Sequence, residues 1–313
     1  MKFRWPRVIV SVVITSIIGL MIWVRTDIEA VARLVSEASL LWFAVGVSFF
    51  FGYQVFRAMR IRVLAGGTTR TGPLTVTMMV QAFANNMLPW GIGEVVQVWL
   101  LKHRHGVEFS RGAGVLIVAR LSDLLIFILL FVILQFFSQE IPEEVCAVML
   151  MLTGCLAVAI ASLLAVTRID KRHLTTGWRS KIGAFIAAID ESRNWSLFGP
   201  LLGISTIMWV LMFGVFVAVL RTLNSDVGLV EILWIYILFF PVNILPVKGV
   251  ASIGTHHLAW YLTLQLVGVE EPVAAALAFG AHLVLLGIVC AVAVPGMMLM
   301  VHGLEGTGPR RPK

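Results

Sequence analysis

The chain has 313 residues, of which 59% are hydrophobic and only 13% are charged. An ordinary soluble domain has about 25% charged residues, so a water-soluble globule is excluded, because it has no way to bury this much apolar surface. The 24 Lys and Arg residues outnumber the 17 Asp and Glu residues, which gives a net charge of +7. The composition is that of a membrane protein, whose unit of length is a span of about 20 apolar residues.

Six apolar runs are each long enough to cross a bilayer as an α-helix. They do not alternate in the way that the strands of an outer-membrane barrel do. The runs are Val8–Val24, Leu40–Phe56, Ala113–Phe137, Val145–Val166, Leu197–Leu220 and Ala274–Val294. The first run follows three basic residues, so it is either a span or, less in keeping with its length, a secretory signal peptide.

Two further apolar stretches are interrupted by proline and glycine, which break helices. The first interrupted stretch is Leu74–Leu88 followed by Val95–Leu101, and the second is Ile232–Leu245 followed by Leu258–Val267. None of these pieces spans a bilayer comfortably by itself. Each pair is therefore predicted to be a re-entrant helical hairpin that enters the membrane and returns to the same side.

The basic residues orient this arrangement. With the N-terminus inside and two returning hairpins, 19 of the 24 Lys and Arg residues fall on the inner side, as the positive-inside rule requires. Arg25, Arg33 and Arg221 lie outside, and Arg120 and Lys248 remain at membrane depth. Both termini are therefore expected inside, in the cytoplasmic membrane.

The two interrupted stretches share a short motif. Asn86-Met87-Leu88-Pro89 matches Asn243-Ile244-Leu245-Pro246, and each is followed by glycine and then by Ile-Gly. The element order also repeats as span, span, hairpin, span. Because each half crosses the membrane three times, the second half is expected to be inverted, and broken segments at matching places indicate a substrate site.

The expected fold is thus an all-α polytopic membrane protein with six full spans and two re-entrant hairpins in an inverted-topology repeat. Residues 1–313 form a single transmembrane domain, with repeat halves at 1–140 and 141–302 and a basic C-terminal tail at 303–313. Residues 168–196 are predicted to form a cytoplasmic amphipathic loop, because Trp178, Ile182 and Phe185 share one helical face. A charged linker is the alternative.

Arg120 and Asp123 are the first candidate site residues. They lie in an apolar run three residues apart, so they share a helical face and are able to pair. Ionisable groups within a span are costly and face the bundle interior by default. Arg120 is expected to bind a lipid phosphate that Asp123 holds or releases, and the alternatives are a closed structural ion pair or a snorkelling arginine.

The interrupted stretches supply the other candidates. Irregular backbone at membrane depth must line a cavity or be buried in protein, and helix N-termini there suit a phosphate. Lys248 is predicted to contact phosphate or to anchor at the interface, and Glu94 to bind a proton or cation or to cap its helix. The remaining candidates are Asn86, Asn243, Gly91, Gly93, Gly249, Gly254 and His257.

The sequence predicts no metal site and no cofactor. His256 and His257 are adjacent, and no cysteine or carboxylate completes a zinc set around them. A protonatable histidine in a transport path is the functional alternative to a packed one. The three cysteines lie in apolar runs and are expected to be buried packing residues, and no nucleotide-binding or hydrolase motif is present.

Taken in order, four strings resemble a known family. They are Arg57-x-x-Arg60-x-x-Val63-Leu64, Asn86-x-Leu88-Pro89-x-Gly91-x-Gly93-Glu94, Ala119-Arg120-Leu121-x-Asp123, and Leu245-Pro246 through Gly254. Together they resemble the flippase-like membrane family related to the N-terminal transmembrane domain of lysylphosphatidylglycerol synthases, which also includes proteins of polyprenyl-phosphate sugar pathways. The resemblance covers most of the chain and implies paired re-entrant helices around a central cavity.

The resemblance implies a lipid flippase or lipid-carrier transporter for an anionic phospholipid or a polyprenyl-phosphate-linked lipid. The soluble aminoacyl-transfer domain of the full synthases is absent from this sequence, so that activity is not carried over and the chain is not expected to be an enzyme. The sequence departs from the family pattern at Gln97, Ala119 and His257. These departures leave the substrate and the coupling ion open.

Two other functions stay open. One is a membrane-embedded lipid-modifying enzyme that uses Glu94, Asp123 and His257, and the other is a non-transporting partner of a glycosyltransferase. The expected partner is a membrane lipid and not a nucleic acid, and self-association is left open.

Overall fold

The computed structural model describes residues 28–67, 69–89, 92–135, 143–167, 195–244 and 250–303. Within these ranges the chain is helical and contains no strand. The helices are α1 (Ile28–Ser36), α2 (Leu40–Leu64), α3 (Thr71–Met87), α4 (Ile92–His105), α5 (Phe109–Gln135), α6 (Glu143–Thr167), α7 (Trp195–Thr222), α8 (Leu229–Ile244), a 3-10 turn (Val250–Ser252), α9 (Thr255–Leu266) and α10 (Glu271–Val301). The all-α prediction is confirmed for this part of the chain.

Four helices in the described ranges are long and apolar enough to cross a membrane. They are Leu40–Leu64, Phe109–Ile133, Gly199–Thr222 and Glu271–Val301, and they coincide with four of the six predicted runs. The predicted run Val145–Val166 lies within α6, whose described apolar stretch is the shorter Met149–Ala159. The run Val8–Val24, nearly all of the loop 168–196 and the tail after Gly303 lie outside the described residues. Six spans and an inverted repeat therefore stay a prediction.

Both interrupted stretches are broken helices, at the places that proline and glycine indicate. The first break separates α3 from α4, and the second separates α8 from α9 and includes the 3-10 turn. Thr77 near the start of α3 lies 2.8 Å from His105 at the end of α4, whereas Gly93 at the start of α4 packs against the backbone of Asn85. These contacts make α3 and α4 an antiparallel helical hairpin. Helices α8 and α9 also pack against each other.

The chain forms two compact units. Among the described residues, the arginine unit takes those within Tyr53–Met78, Val96–Trp209 and Met298–Lys313, and the histidine unit takes those within Met1–Gly52, Met79–Val95 and Val210–Met297. Each unit takes segments from both predicted repeat halves.

The arginine unit is packed around small and branched side chains of α2, α3, α4, α5 and α7. Its buried cluster includes Ala58, Ile61, Leu74, Met78, Leu101, Val115, Ala119 and Leu201. Alanines at the contacts let helices approach closely, which is the usual way in which helices associate in a membrane. The candidate carboxylate Asp123 lies one turn beyond Ala119 on the same helix, so this packing fixes its position.

The histidine unit is packed around aromatic rings and a small-residue helix. Phe216 stacks on Trp260 with ring centroids 5.0 Å apart, and Phe239 lies 5.3 Å from Trp260. The stretch Ala274–Ala278 of α10 is completely buried. The three cysteines have free thiols, and Cys155 is exposed, so the prediction of burial is wrong for it, because that face of α6 is not covered by protein.

Candidate functional site

Asp123 is the centre of a buried polar network in the arginine unit. Its side chain on α5 is 1% exposed and forms a salt bridge with Arg60 of α2, whose side chain is 6% exposed. A second Arg60 nitrogen lies 3.4 Å from the other carboxylate oxygen, and the Trp209 indole N–H donates a hydrogen bond of 2.8 Å to Asp123 Oδ1. Three helices therefore converge on one carboxylate.

Arg120 joins this network more loosely than Arg60 does. Its guanidinium lies 3.5 Å from Asp123 Oδ2, and its side chain is 34% exposed. The pairing that the i,i+3 spacing predicts is thus present, but Asp123 is held mainly by Arg60. Because Arg120 is only partly covered by protein, it is the guanidinium of this network best placed to meet a ligand.

Arg57 extends the cluster by one helical turn along α2. It donates to the side-chain oxygens of Gln54 at 3.0 Å and Gln97 at 3.3 Å, and it lies over the ring of Tyr53. Gln54 and Gln97 are buried, so their amides hold the guanidinium in a fixed direction. Arg57 is also close enough to Arg60, Arg120 and Asp123 to interact with their charges.

The four ionisable groups Arg57, Arg60, Arg120 and Asp123 together carry three positive charges and one negative charge. They lie on α2 and α5, two of the helices that are long and apolar enough to cross a membrane. Charged groups within a membrane-crossing helix are expensive and are usually functional. Guanidinium groups bind phosphate oxygens through two parallel hydrogen bonds, so the cluster suits an anionic group.

The two helix breaks contact each other within the histidine unit. Ser252 in the second break donates its hydroxyl to the backbone carbonyl of Asn86, at 3.2 Å. Asn86 is the first residue of the repeated motif, and its side-chain amide donates to Ala82 of its own helix at 2.8 Å. The backbone of the second break is unusual, because Ala251 and Ser252 have φ of 52° and 55°, and such conformations cluster at functional sites.

Gly254 and His257 lie where the second break enters α9. Gly254 has a φ of 86°, which a residue with a Cβ rarely adopts. Its backbone N–H points to Nδ1 of His257 at 3.4 Å, so the glycine conformation positions the histidine. His257 is 3% exposed and packs against Phe279 and His282 of α10.

The other predicted site residues lie at helix ends or outside the described residues. Gly93 and Glu94 lie in the first turn of α4, where a carboxylate is favoured by the helix dipole. Asn243 lies in the last turn of α8, and nothing is described of its side chain. Lys248, Gly91 and Gly249 lie outside the described residues.

A family model described as the lysylphosphatidylglycerol synthase TM region matches residues 8–293. The chain belongs to this family. The match extends over most of the sequence and confirms the resemblance that the four motifs indicate. Neither the curated proteins nor the solved structures contain a match to this chain.

Membership of the lysylphosphatidylglycerol synthase TM region family makes the chain a multi-pass membrane protein of a lipid-related family. Two of the four motifs meet in the arginine unit, where Arg57 and Arg60 of the first approach Arg120 and Asp123 of the third. The second and fourth meet in the histidine unit, at Asn86 and Ser252. The first motif thus contacts the third, and the second motif contacts the fourth.

Sequence reasoning missed several residues that the family fold brings to these sites. From the sequence, Arg57 and Arg60 are assigned to the basic residues of the inner side. Their three-residue spacing nevertheless places them on one face of α2, a helix long and apolar enough to cross a membrane. Gln54, Trp209 and His282 carry no signal of their own, because an isolated glutamine, tryptophan or histidine in a span is more often a packing residue.

Two of the residues named by the enzyme alternative lie in different units, Asp123 in the arginine unit and His257 in the histidine unit. Asp123 is surrounded by two guanidinium groups and an indole, and His257 contacts a histidine and a phenylalanine. In these ranges no group of three His, Cys, Asp or Glu side chains is arranged to hold a metal ion.

Proposed function

We propose that the chain is a lipid flippase or transporter. It moves an anionic phospholipid or a polyprenyl-phosphate-linked lipid across the cytoplasmic membrane by alternating access, with both termini inside, and it does not modify the lipid. The observation that carries this proposal is the cluster of three arginines around Asp123 on two membrane-length helices.

The arrangement of the cluster supports phosphate binding. Arg60 is buried and paired with Asp123, so it compensates the charge of that carboxylate. Arg120 shares the same carboxylate at a longer distance and remains partly exposed. A phosphate that approaches Arg120 replaces a weak contact with a bidentate one, while Asp123 stays paired with Arg60 and neutralises it.

The broken helices support alternating access. Transporters that have inverted repeats place discontinuous helices at the substrate site, and one repeat moves against the other. Here the two breaks carry the same Asn-x-Leu-Pro motif and are joined by a hydrogen bond between Ser252 and Asn86. We propose that both hairpins are re-entrant and that this contact belongs to one of the two access states.

The test is a flippase assay on purified protein in proteoliposomes. Fluorescent phosphatidylglycerol is reduced from the outer face, and the rate of loss of the inner-leaflet signal is measured. Arg120→Gln should slow head-group movement about tenfold or more, because hydrogen bonds to charged groups contribute about 1.5–3 kcal/mol. The matched control is Arg70→Gln, since Arg70 is exposed and lies outside the cluster.

A comparison of charged and uncharged lipids tests whether transport depends on the anionic head group. Phosphatidylcholine, which has no net charge, should move more slowly than phosphatidylglycerol, and Arg120→Lys should retain part of the activity, since lysine keeps the charge but loses the bidentate geometry. If several phospholipids and a polyprenyl phosphate all fail to move above the rate of empty vesicles, the transport proposal is wrong.

A further inference from the structure

His257 and His282 face each other in the histidine unit. Their ring centroids are 4.4 Å apart, and both residues are almost completely buried. The His257 ring also stacks on Phe279, with centroids 4.3 Å apart. Phe279 and His282 are three residues apart on α10 and therefore share a helical face. The two histidine rings are held in place by packing on rigid helices.

Backbone groups of the second break fix the tautomer of each ring. His282 Nε2 lies 3.1 Å from the carbonyl oxygen of Ala251. A carbonyl only accepts, so His282 carries its proton on Nε2 and leaves Nδ1 as an acceptor. His257 Nδ1 faces the backbone N–H of Gly254 at 3.4 Å. An N–H only donates, so neutral His257 carries its proton on Nε2.

These assignments leave one buried donor and one buried acceptor in the pair. The donor is the Nε2–H of His257 and the acceptor is Nδ1 of His282, and neither has a hydrogen-bond partner among the described residues. Buried polar groups in native proteins nearly always find a partner. A ligand group that accepts from one ring and donates to the other satisfies both, and a hydroxyl is the simplest such group.

We infer that His257 and His282 form a binding site for one hydroxyl group. Water and the hydroxyl of a polyol head group share this chemistry. The inference goes beyond the proposed function, because it holds whether or not the chain moves lipid. The positive φ values of Ala251 and Ser252, close to Gly254, orient two backbone groups. These are the Ala251 carbonyl toward His282 and the Gly254 N–H toward His257, which set the two tautomers.

The direct test is solid-state NMR of protein labelled with ¹⁵N-histidine and placed in lipid nanodiscs. Both rings should be neutral with the proton on Nε2, and the Nε2 proton of His257 should correlate with a hydroxyl or water proton. A direct N–H···N bond between the two rings, or a bond from His257 to another side chain of the protein, would overturn the inference.

Two lipids separate the possible sources of the hydroxyl. Phosphatidylglycerol and phosphatidylethanol carry the same charge, but only the glycerol head group has free hydroxyls. If the head group occupies the site, phosphatidylglycerol should bind about three- to tenfold more tightly, as expected for one or two hydrogen bonds, and its protons should correlate with His257. If water occupies the site, the two lipids should bind equally, and the water correlation should persist in both nanodiscs.

Substitutions of His257 and His282 test whether these two rings cause the lipid preference or the water correlation. His257→Phe keeps the stacking on Phe279 and removes the donor, and His282→Leu removes the acceptor. Each should abolish the preference for phosphatidylglycerol or the water correlation of the remaining ring, whereas the exposed His302→Gln should change neither. The wild-type NMR result decides the inference even if a variant fails to fold. Retention of the full His257 correlation in His282→Leu, together with an unchanged preference for phosphatidylglycerol in His257→Phe, would contradict it.

Discussion

Asp123 keeps its place in a buried position because oppositely charged and hydrogen-bonding groups surround it. The salt bridge to Arg60 is the main contact, and the indole of Trp209 satisfies the same carboxylate oxygen. Trp209 is itself fixed by ring contacts to Tyr53 and Phe127. A buried pair of this kind is costly to break, because loss of one partner leaves an uncompensated charge.

We therefore expect Asp123→Asn to destabilise the protein strongly. Removal of one partner of a buried ion pair costs about 3–5 kcal/mol, and here the remaining partner is the guanidinium of Arg60. Unfolding in detergent, followed by circular dichroism or by the reactivity of the free cysteines, measures the loss.

A double substitution separates the ion pair from general disruption. Arg60→Met combined with Asp123→Leu should recover part of the stability, because an apolar pair of similar volume often replaces a buried ion pair without loss. The exposed Arg70→Gln should leave stability unchanged. Strictly additive losses from the two single substitutions would contradict a direct Arg60–Asp123 interaction.

His105 gives the stability of the arginine unit a pH dependence. Burial, and to a lesser degree the neighbouring charge of Arg104, lower the pKa of this histidine below its ordinary value of 6.5. The unfolded chain therefore binds more protons at this ring than the folded protein does. Stability is highest above the ordinary pKa and is lost as the pH falls below about 6.5.

The check is thermal unfolding between pH 7.5 and pH 5. His105→Gln should lose less stability on acidification than the wild type, while the exposed neighbour His103→Gln should follow the wild-type curve. An unchanged slope in His105→Gln would show that the ring and its contact with Thr77 do not contribute.

At the scale of elements, the two helix breaks are the features that the sequence indicates best. Proline removes a backbone donor and glycine adds conformational freedom, so the places of interruption follow from local chemistry. The partners of each break do not follow from it. The contact between Ser252 and Asn86 joins residues far apart in the chain, and only the packed structure shows it.

The α3–α4 hairpin depends on the absence of a side chain at Gly93. A Cβ at this position would overlap the backbone of Asn85 on the facing helix, and backbone atoms have little room to move. We expect Gly93→Ala to cost about 1–3 kcal/mol, as overpacking typically does, and to impair transport by separating the two helices.

The matched control lies in the same hairpin. Gly72 near the start of α3 has open space where the methyl group of an alanine would lie, with no atom within 4 Å, so Gly72→Ala should be neutral or slightly stabilising. Unfolding temperatures of the two variants, measured in the same detergent, provide the comparison. Equal stability of the two variants would show that the close approach at Gly93 is not needed.

At the scale of the whole molecule, the predicted topology specifies on which side of the membrane each loop lies. Four helices of the described chain have the length and composition of spans. Six spans with two returning hairpins place the residues near Lys102 inside and those near Pro272 outside. If the first hairpin crossed the membrane instead, the later loops would change sides.

Cysteine labelling in intact cells or oriented vesicles tests this topology. In a background without Cys146, Cys155 and Cys290, single cysteines at Lys102 and at Pro272 should label from opposite sides. Both positions are exposed in the structure, so access is not limited by protein packing. Labelling of both from the same side would contradict the re-entrant hairpins and the inverted repeat together.

The sequence by itself determined that this is a helical membrane protein, where four helices long and apolar enough to cross a membrane lie, where two helices break and to which family the chain belongs. These properties follow from hydropathy, from proline and glycine chemistry and from the order of short motifs, all of which are local. Only the tertiary structure decided that Arg60 is the main partner of Asp123, that Ser252 meets Asn86 and that His257 faces His282. Each of these contacts joins different helices, and the helix periodicity that predicts the neighbours of a residue on its own helix carries no information about which side chain of another helix it meets.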